Sequence, residues 1–328
     1  MAKKATGGSK KRGKRGGAPV DVGAVMEAMG DLDQMRNLPV DVCLVIDVTA
    51  SDELIDAVLE AFEAQSAQAE VHTVLMTGSA PQIPMPCDLC VVVGGESLLL
   101  GDAAASARRA GCPTAVVIQS GETYFAESQE DAEEIVASQS APADAAPAIG
   151  APIPLDTVVE VDFSLERPFD ELGLWIMCNA PAKRVSLAEY FAFIRWPFSL
   201  ELTRLIALQN AAVGLVFIVP GADMPVITLN QIKLVLQIAS VYGQPLDMTR
   251  ALEIAAVVGG AFGFRALARE LSGAVPVLGW GIKGGIAYTG TLAIGQAALE
   301  YFDEGGRING LARVITQAVE EATAAYAE

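Results

Sequence analysis

The sequence predicts a doubly wound α/β parallel sheet, followed by a separate all-α, glycine-rich helical domain. Three observations carry this expectation. Short Val-rich runs alternate with helical patterns up to about residue 138; residues 139–156 (QSAPADAAPAIGAPIPLD) are rich in Ala and Pro without periodic apolar positions; and from about residue 169 the apolar spacing becomes helical. The boundaries that follow are a basic tail and linker helix at 1–38, an α/β domain at 39–138, a linker at 139–168 and a helical domain at 169–328.

The elements can be justified in order. Residues 1–15 (MAKKATGGSKKRGKR) have no large apolar residue after Met1 and cannot build a core. Residues 19–38 read as a short amphipathic helix with a linker. Then come VDVCLVIDV, a helix from Asp52 to about Gln68, VHTVLMTG, CDLCVVVGG, a helix from about Leu98 to Ala110, PTAVVIQSG, and an acidic helix from about Glu127 to Ser138. Nearly continuous Val-rich strands suit a parallel sheet buried on both faces. Beyond the Ala/Pro segment, VVEVDF reads as one last strand. Helices are expected near 169–180, 186–196, 199–219, 226–242, 247–271, 275–303 and 307–326. Ser186 with Glu189 and Thr228 with Gln231 have the spacing of capping boxes, Asp247 precedes an apolar helix, and Gly243 followed by Pro245 is a stop.

Charge narrows the partners. The net charge of −18 conceals a tail with seven cations (Lys3, Lys4, Lys10, Lys11, Arg12, Lys14 and Arg15) and no acid, leaving 15 basic against 40 acidic side chains elsewhere, a balance of −25. No apolar run follows this tail, so it does not read as a secretory signal. A solubilising tail and a segment attracted to anionic lipid both fit, whereas the acidic body disfavours nucleic acid. The chain is 52% hydrophobic with a mean hydropathy of +0.38, more apolar than a purely soluble chain requires.

Cys43, Cys87, Cys90, Cys112 and Cys178 suggest no disulfide framework, and free thiols suit a reducing cytoplasm. Cys87 and Cys90 have C-x-x-C spacing, but no second ligand pair accompanies them. The only histidine, His72, lies in a strand pattern, which argues against Ser-His-Asp and Cys-His chemistry.

The stretch VIDVTASDELIDAVL passes from strand through a short turn into a helix, the place where α/β proteins hold phosphate. Its helix resembles the one that follows the P-loop of Era-like GTPases. That alignment puts Ile46, Ser51, Asp52 and Glu53 where Gly, Gly, Lys and Ser/Thr belong, so bulk and negative charge replace the phosphate and magnesium contacts. In the strand that would carry the guanine motif, Gln119, Ser120 and Glu122 replace Asn, Lys and Asp. The resemblance implies a degenerate GTPase-like domain that binds no nucleotide cofactor, against an ordinary Rossmann-like sheet. A rival reading uses Asp47, Thr49 and Ser51 as D-x-[ST]-x-S, the cation motif of von Willebrand A-type domains, although the later loop GGES lacks that family's Asp.

The stretches PGADMPVITLNQ and VPVLGWGIKGGIAYTGT, within residues 209–306, resemble the YcjF-like family, a domain of unknown function associated with Era-like GTPases in bacteria. The resemblance implies a membrane-associated helical domain with no established catalytic activity. Leu205–Ala222 and Gly284–Leu299 are uncharged runs of borderline spanning length, the second preceded by Lys283. Gly259 with Gly263, and Gly281 with Gly285 beside Gly284, have close-packing spacing, in a membrane or in a tight soluble bundle. Asp223, after Pro220 and Gly221, is expected to cap the following helix, and Asn230 and Gln231 to make cap or core polar contacts.

The function expected from these residues is a non-catalytic scaffold or regulator associated with the bacterial cytoplasmic membrane, with a multi-pass arrangement as one form and a cytoplasmic location as the alternative, and with a partner GTPase or a second copy of itself as partner. An atypical nucleoside triphosphatase and a soluble homo-oligomeric adaptor are the alternatives.

Overall fold

The computed structural model describes residues 21–77, 81–97, 99–121, 153, 155–216, 223–247, 249–254, 256, 258 and 279–325. Five strands form one wholly parallel sheet: β1 (Val40–Asp47), β2 (Ala69–Met76), β3 (Leu89–Val93), β4 (Thr114–Gln119) and β5 (Val158–Val161), in the order β2-β1-β3-β4-β5. The expected last strand is thus β5, paired with β4. Around the sheet lie α1 (Val22–Arg36), α2 (Asp52–Ala61) and α3 (Leu100–Arg109). They are followed by α4 (Asp170–Asn179), α5 (Arg184–Tyr190), α6 (Arg195–Val216), α7 (Met224–Val241), α8 (Gly279–Asp303) and α9 (Ile308–Ala325). The expected acidic helix at 127–138 lies outside the described residues.

Alternation within each strand sends side chains to two different layers. Val42, Leu44 and Ile46 of β1 join Val91 and Val93 of β3 and Leu54 and Val58 of α2 on one face. Cys43 and Val45 join Val92, Val116 and Ala103, Ala104 and Ala107 of α3 on the other. A period of two in the sheet therefore demands cover on both sides, and α2 and α3 cover opposite faces.

The helical region, expected as separate, shares a core with the sheet. Leu172, Ile176, Leu187, Phe191, Leu234 and Ile238 share one continuous core with the α2 face of the sheet. One short helix cannot cover that face of five strands, and the apolar helices complete the layer. Helix α1, expected as part of a linker, belongs to the same layer. It is capped by Asp21, whose carboxylate accepts from the Gly23 (2.9 Å) and Ala24 (3.3 Å) N–H groups. Its C-terminal end is held by Arg36 against Glu189, and by Tyr190, whose hydroxyl donates to the Arg36 carbonyl at 2.8 Å.

Two expected caps differ for a common reason. α5 and α7 begin upstream, at Arg184 and Met224, so Ser186 and Thr228 fall inside helices. Ser186 donates to the Met35 carbonyl and Glu189 pairs with Arg36, while Thr228 donates to the Met224 carbonyl four residues back at 2.8 Å. Asp223 occupies the N-cap position of α7 through its carbonyl, which accepts from Ile227 at 3.1 Å, without a side-chain cap bond. Asp247 does cap, accepting from the Arg250 N–H at 2.8 Å, and α7 stops at Gly243, whose φ of +69° favours glycine.

The cysteine expectation also needs correction. Cys87 and Cys112 form a disulfide with Cα atoms 5.8 Å apart, while Cys43, Cys90 and Cys178 are free. Pairing of Cys90 with Thr114 aligns the starts of β3 and β4, which carries these two cysteines together although they are 25 residues apart. For this pair the argument from free thiols to a reducing compartment loses its premise.

Helices α6 and α8 run antiparallel at close quarters. A Cβ on Gly295 would lie 2.3–2.8 Å from Thr203 side-chain atoms, and one on Gly284 would lie 3.0–3.3 Å from Leu215 and the Ala211 carbonyl. Gly284 of GWGIKGG is thus seated on α6. Gly295→Ala is expected to lower thermal stability by about 1–3 kcal/mol through overpacking, despite the gain of about 1 kcal/mol in helix propensity. Thr203→Ala in the same chain should recover part of that loss, whereas Gly284→Ala, whose Cβ would meet Leu215 and the Ala211 carbonyl at 3.0–3.3 Å, should cost less than Gly295→Ala. A double-mutant cycle on thermal midpoints checks the coupling, and additive effects would refute it.

Candidate functional site

In a doubly wound sheet, ligands sit beyond the carboxyl ends of the strands where successive connections leave for opposite faces. Here that point lies between β1, which leads into α2, and β3, which leads into α3. The turn singled out in the sequence, residues 47–51, stands there.

The turn is filled by the protein's own polar groups. Asp47, the last residue of β1, is 1% exposed. Its Oδ1 accepts from the Thr49 N–H at 3.0 Å, and its Oδ2 accepts from the N–H groups of Gly95 and Ser97, each at 3.2 Å. The Thr49 hydroxyl oxygen accepts from the Glu96 N–H at 2.9 Å. The loop after β3 is thereby stitched onto the turn after β1, with a carboxylate held by three amide groups at the strand ends. Gly95 makes this approach possible, since a Cβ there would lie 2.3 Å from the Ala50 nitrogen and 2.5 Å from the Thr49 carbonyl carbon.

Ser51 caps α2, accepting from the Leu54 N–H at 3.2 Å, and donates to Gln119 Oε1 at 2.6 Å. The Gln119 amide in turn approaches Glu53 Oε2 at 3.4 Å. Positions compared with the phosphate loop and with the guanine motif are therefore in contact, and Gln119 spends its amide on the turn. Ile46 points into the core, while Asp52 and Glu53 sit exposed in the first turn of α2, where they complement the helix dipole. The side-chain oxygens of Asp47, Thr49 and Ser51, the residues of D-x-[ST]-x-S, each accept from N–H groups.

Beside this point, along β4 and β5, lies a groove of about 680 Å³ lined by Ser120, Glu160, Asp162, Glu166, Asp170 and Glu171, with Arg167. Ser120 Oγ donates to Glu160 at 3.4 Å. Burial pushes the Asp170 carboxyl up, with nearby Asp303 adding to the effect and Arg167 opposing it. Five carboxylates against one guanidinium make this groove a poor host for a nucleotide's phosphates.

A second polar cluster lies between α6, α7 and α8. Asn210 and Gln231 both donate to the Thr291 hydroxyl, at 3.0 and 2.8 Å, Asn230 donates to Asn210 Oδ1 at 2.8 Å, and Thr291 donates to the Ala287 carbonyl at 2.7 Å. Asn210, Gln231 and Thr291 are fully buried. Asn230 and Gln231 are thus core contacts rather than caps. Asn210 and Thr291 escaped the sequence reading because only the packing of three helices reveals them; Gly95 and Ser97 left a trace in the GGES loop, but not the identity of their partner.

Glu122, Pro220, Gly221, Gly259, Gly263 and the seven cations of the tail lie outside the described residues, and Gly281 and Lys283 are placed only as members of α8. A scan against family models, a search of curated proteins and a search of solved structures each found no match to this chain.

If Gly95 is what admits the closure, Gly95→Ala should push the β3 loop off the turn and lower stability by about 1–3 kcal/mol, whereas Gly30→Ala, at an open position of α1, should not. Chemical denaturation of the two variants checks this.

Proposed function

We propose that this chain is a non-catalytic scaffold or regulatory protein of a membrane surface, carrying a degenerate GTPase-like domain. The observation that carries the reading is the Asp47 closure: a buried carboxylate ties the two loops together at the strand ends where ligands of α/β sheets sit. The Ser51–Gln119 contact supports descent from a nucleotide site whose two halves now bind each other.

Membrane association rests on the basic tail and on one face of α6. Leu205, Leu208, Leu215 and Val216 are exposed along this helix, Val216 to 74%, at spacings that keep them on neighbouring turns. The one helix among the described residues that is long and apolar enough to cross a membrane, Met224–Val241, has 61% of its length buried inside the protein. A multi-pass arrangement therefore has no support among the described residues, and α6 as described ends at Val216, inside the uncharged run that begins at Leu205. Surface attachment is the form of membrane contact that we favour.

Two measurements test the two halves of this reading. Calorimetry with the full chain should detect no binding of GTP or ATP with magnesium at micromolar concentrations; saturable binding abolished by a change at Ser51 would return the chain to the nucleoside triphosphatases. In vesicle flotation, the chain should bind anionic membranes at low salt. Replacing the seven tail cations with Gln should weaken binding and flatten its salt dependence, and Leu208→Glu with Val216→Glu should weaken it further at all salt concentrations. Retention of full binding in both variants would favour a soluble adaptor.

A further inference from the structure

We propose that the open edge of the sheet carries a divalent transition-metal site, of the zinc class, formed by Asp41, Glu70 and His72. The strand register creates it. Asp41 of β1 is the Cα partner of Glu70 on the adjacent edge strand β2, and His72 follows Glu70 by two residues, so the three side chains stand on one face. One ligand atom from each lies within 4.8 Å of the other two, with His72 Nε2 3.9 Å from Glu70 Oε2.

This face is the one covered by α3, but α3 packs on β3 and β4, at the far side of β1. The β2 edge is left open, and the side chains of His72 and Glu70 are 40% and 76% exposed. Among the described residues no Lys or Arg lies within 4.0 Å of either carboxylate, so two negative groups stand beside an imidazole without a cation.

The donor set selects the ion. Two carboxylates alone suit calcium or magnesium, whereas an imidazole with carboxylates suits zinc and its neighbours in the first transition row. Zinc holds such ligands at about 2.0–2.2 Å, which places tetrahedral ligands about 3.4 Å apart. Closing from 3.9–4.8 Å asks for rotation of the exposed Glu70 and the half-buried Asp41 and His72 side chains. Three protein ligands leave a fourth position open to solvent, or to an acidic or imidazole group of a partner. The site lies at the amino-terminal half of β1 and β2, away from the Asp47 turn, and is independent of the membrane reading.

Zinc titration of the chelator-treated full chain tests this, with Cys178→Ser as background to remove the exposed thiol. One zinc per chain should bind in the micromolar range and raise the thermal midpoint by mass action. His72→Ala, His72→Gln and Asp41→Asn should each weaken binding by about tenfold or more, while leaving the metal-free thermal midpoint near that of the parent. Absence of saturable zinc binding overturns the proposal. So does binding that survives both His72 variants unchanged, since the ion would then be held elsewhere.

Discussion

Three backbone N–H groups converge on the buried Asp47 carboxylate, and through them the two loops at the centre of the sheet become one rigid turn. A charge buried to this depth is tolerated only with such compensation, because an unpaired carboxylate in the interior costs several kcal/mol. The arrangement orders everything around it. Thr49 is turned toward the Glu96 N–H, Ser51 is set to cap α2, and Gln119 is drawn in from β4 by the same serine. The point where an α/β sheet usually receives a ligand here supplies its own anion.

The α2 face of the sheet is completed by α1 and by the helices after residue 169, so that sheet and helices share a core. Within the helical layer, the polar cluster of Asn210, Asn230, Gln231 and Thr291 fixes how α6, α7 and α8 meet, and Gly295 and Gly284 set how closely α6 and α8 approach. The hydrogen bonds that converge on Thr291 favour one helix register over its alternatives, since a shifted register would strand the Asn210 and Gln231 amide donors. Along α6, Leu205, Leu208, Leu215 and Val216 remain exposed.

How much of this could be read from sequence depended on whether the signal was local. The Val-rich runs place β1, β3 and β4 and even VVEVDF as β5, because a strand buried on both faces writes its burial into consecutive residues. Helix ends were less legible. Ser186 and Thr228 have the right partners three residues on, but Arg184 and Met224 already begin the helices, and tertiary contacts to Met35 and Thr291 use the polar groups differently. What depended on register could not be read at all: the Cys87–Cys112 pairing, the row of Asp41, Glu70 and His72, and the fit of Gly95 onto Ala50. The role of Asp47 is equally a matter of tertiary contact, since the sequence presents it only as a member of D-x-[ST]-x-S and not as the partner of the Gly95 and Ser97 amides.

The closed turn is most directly tested by amide hydrogen exchange in the full chain, resolved at Thr49, Gly95 and Ser97. If these amides are bound to a buried carboxylate, they should exchange as slowly as those of β1 and β3, opening only with the sheet, and should stay unchanged when GTP or ATP with magnesium is added. Exchange at the rate of an exposed loop while the strands remain protected, or signals displaced by nucleotide, would contradict the account.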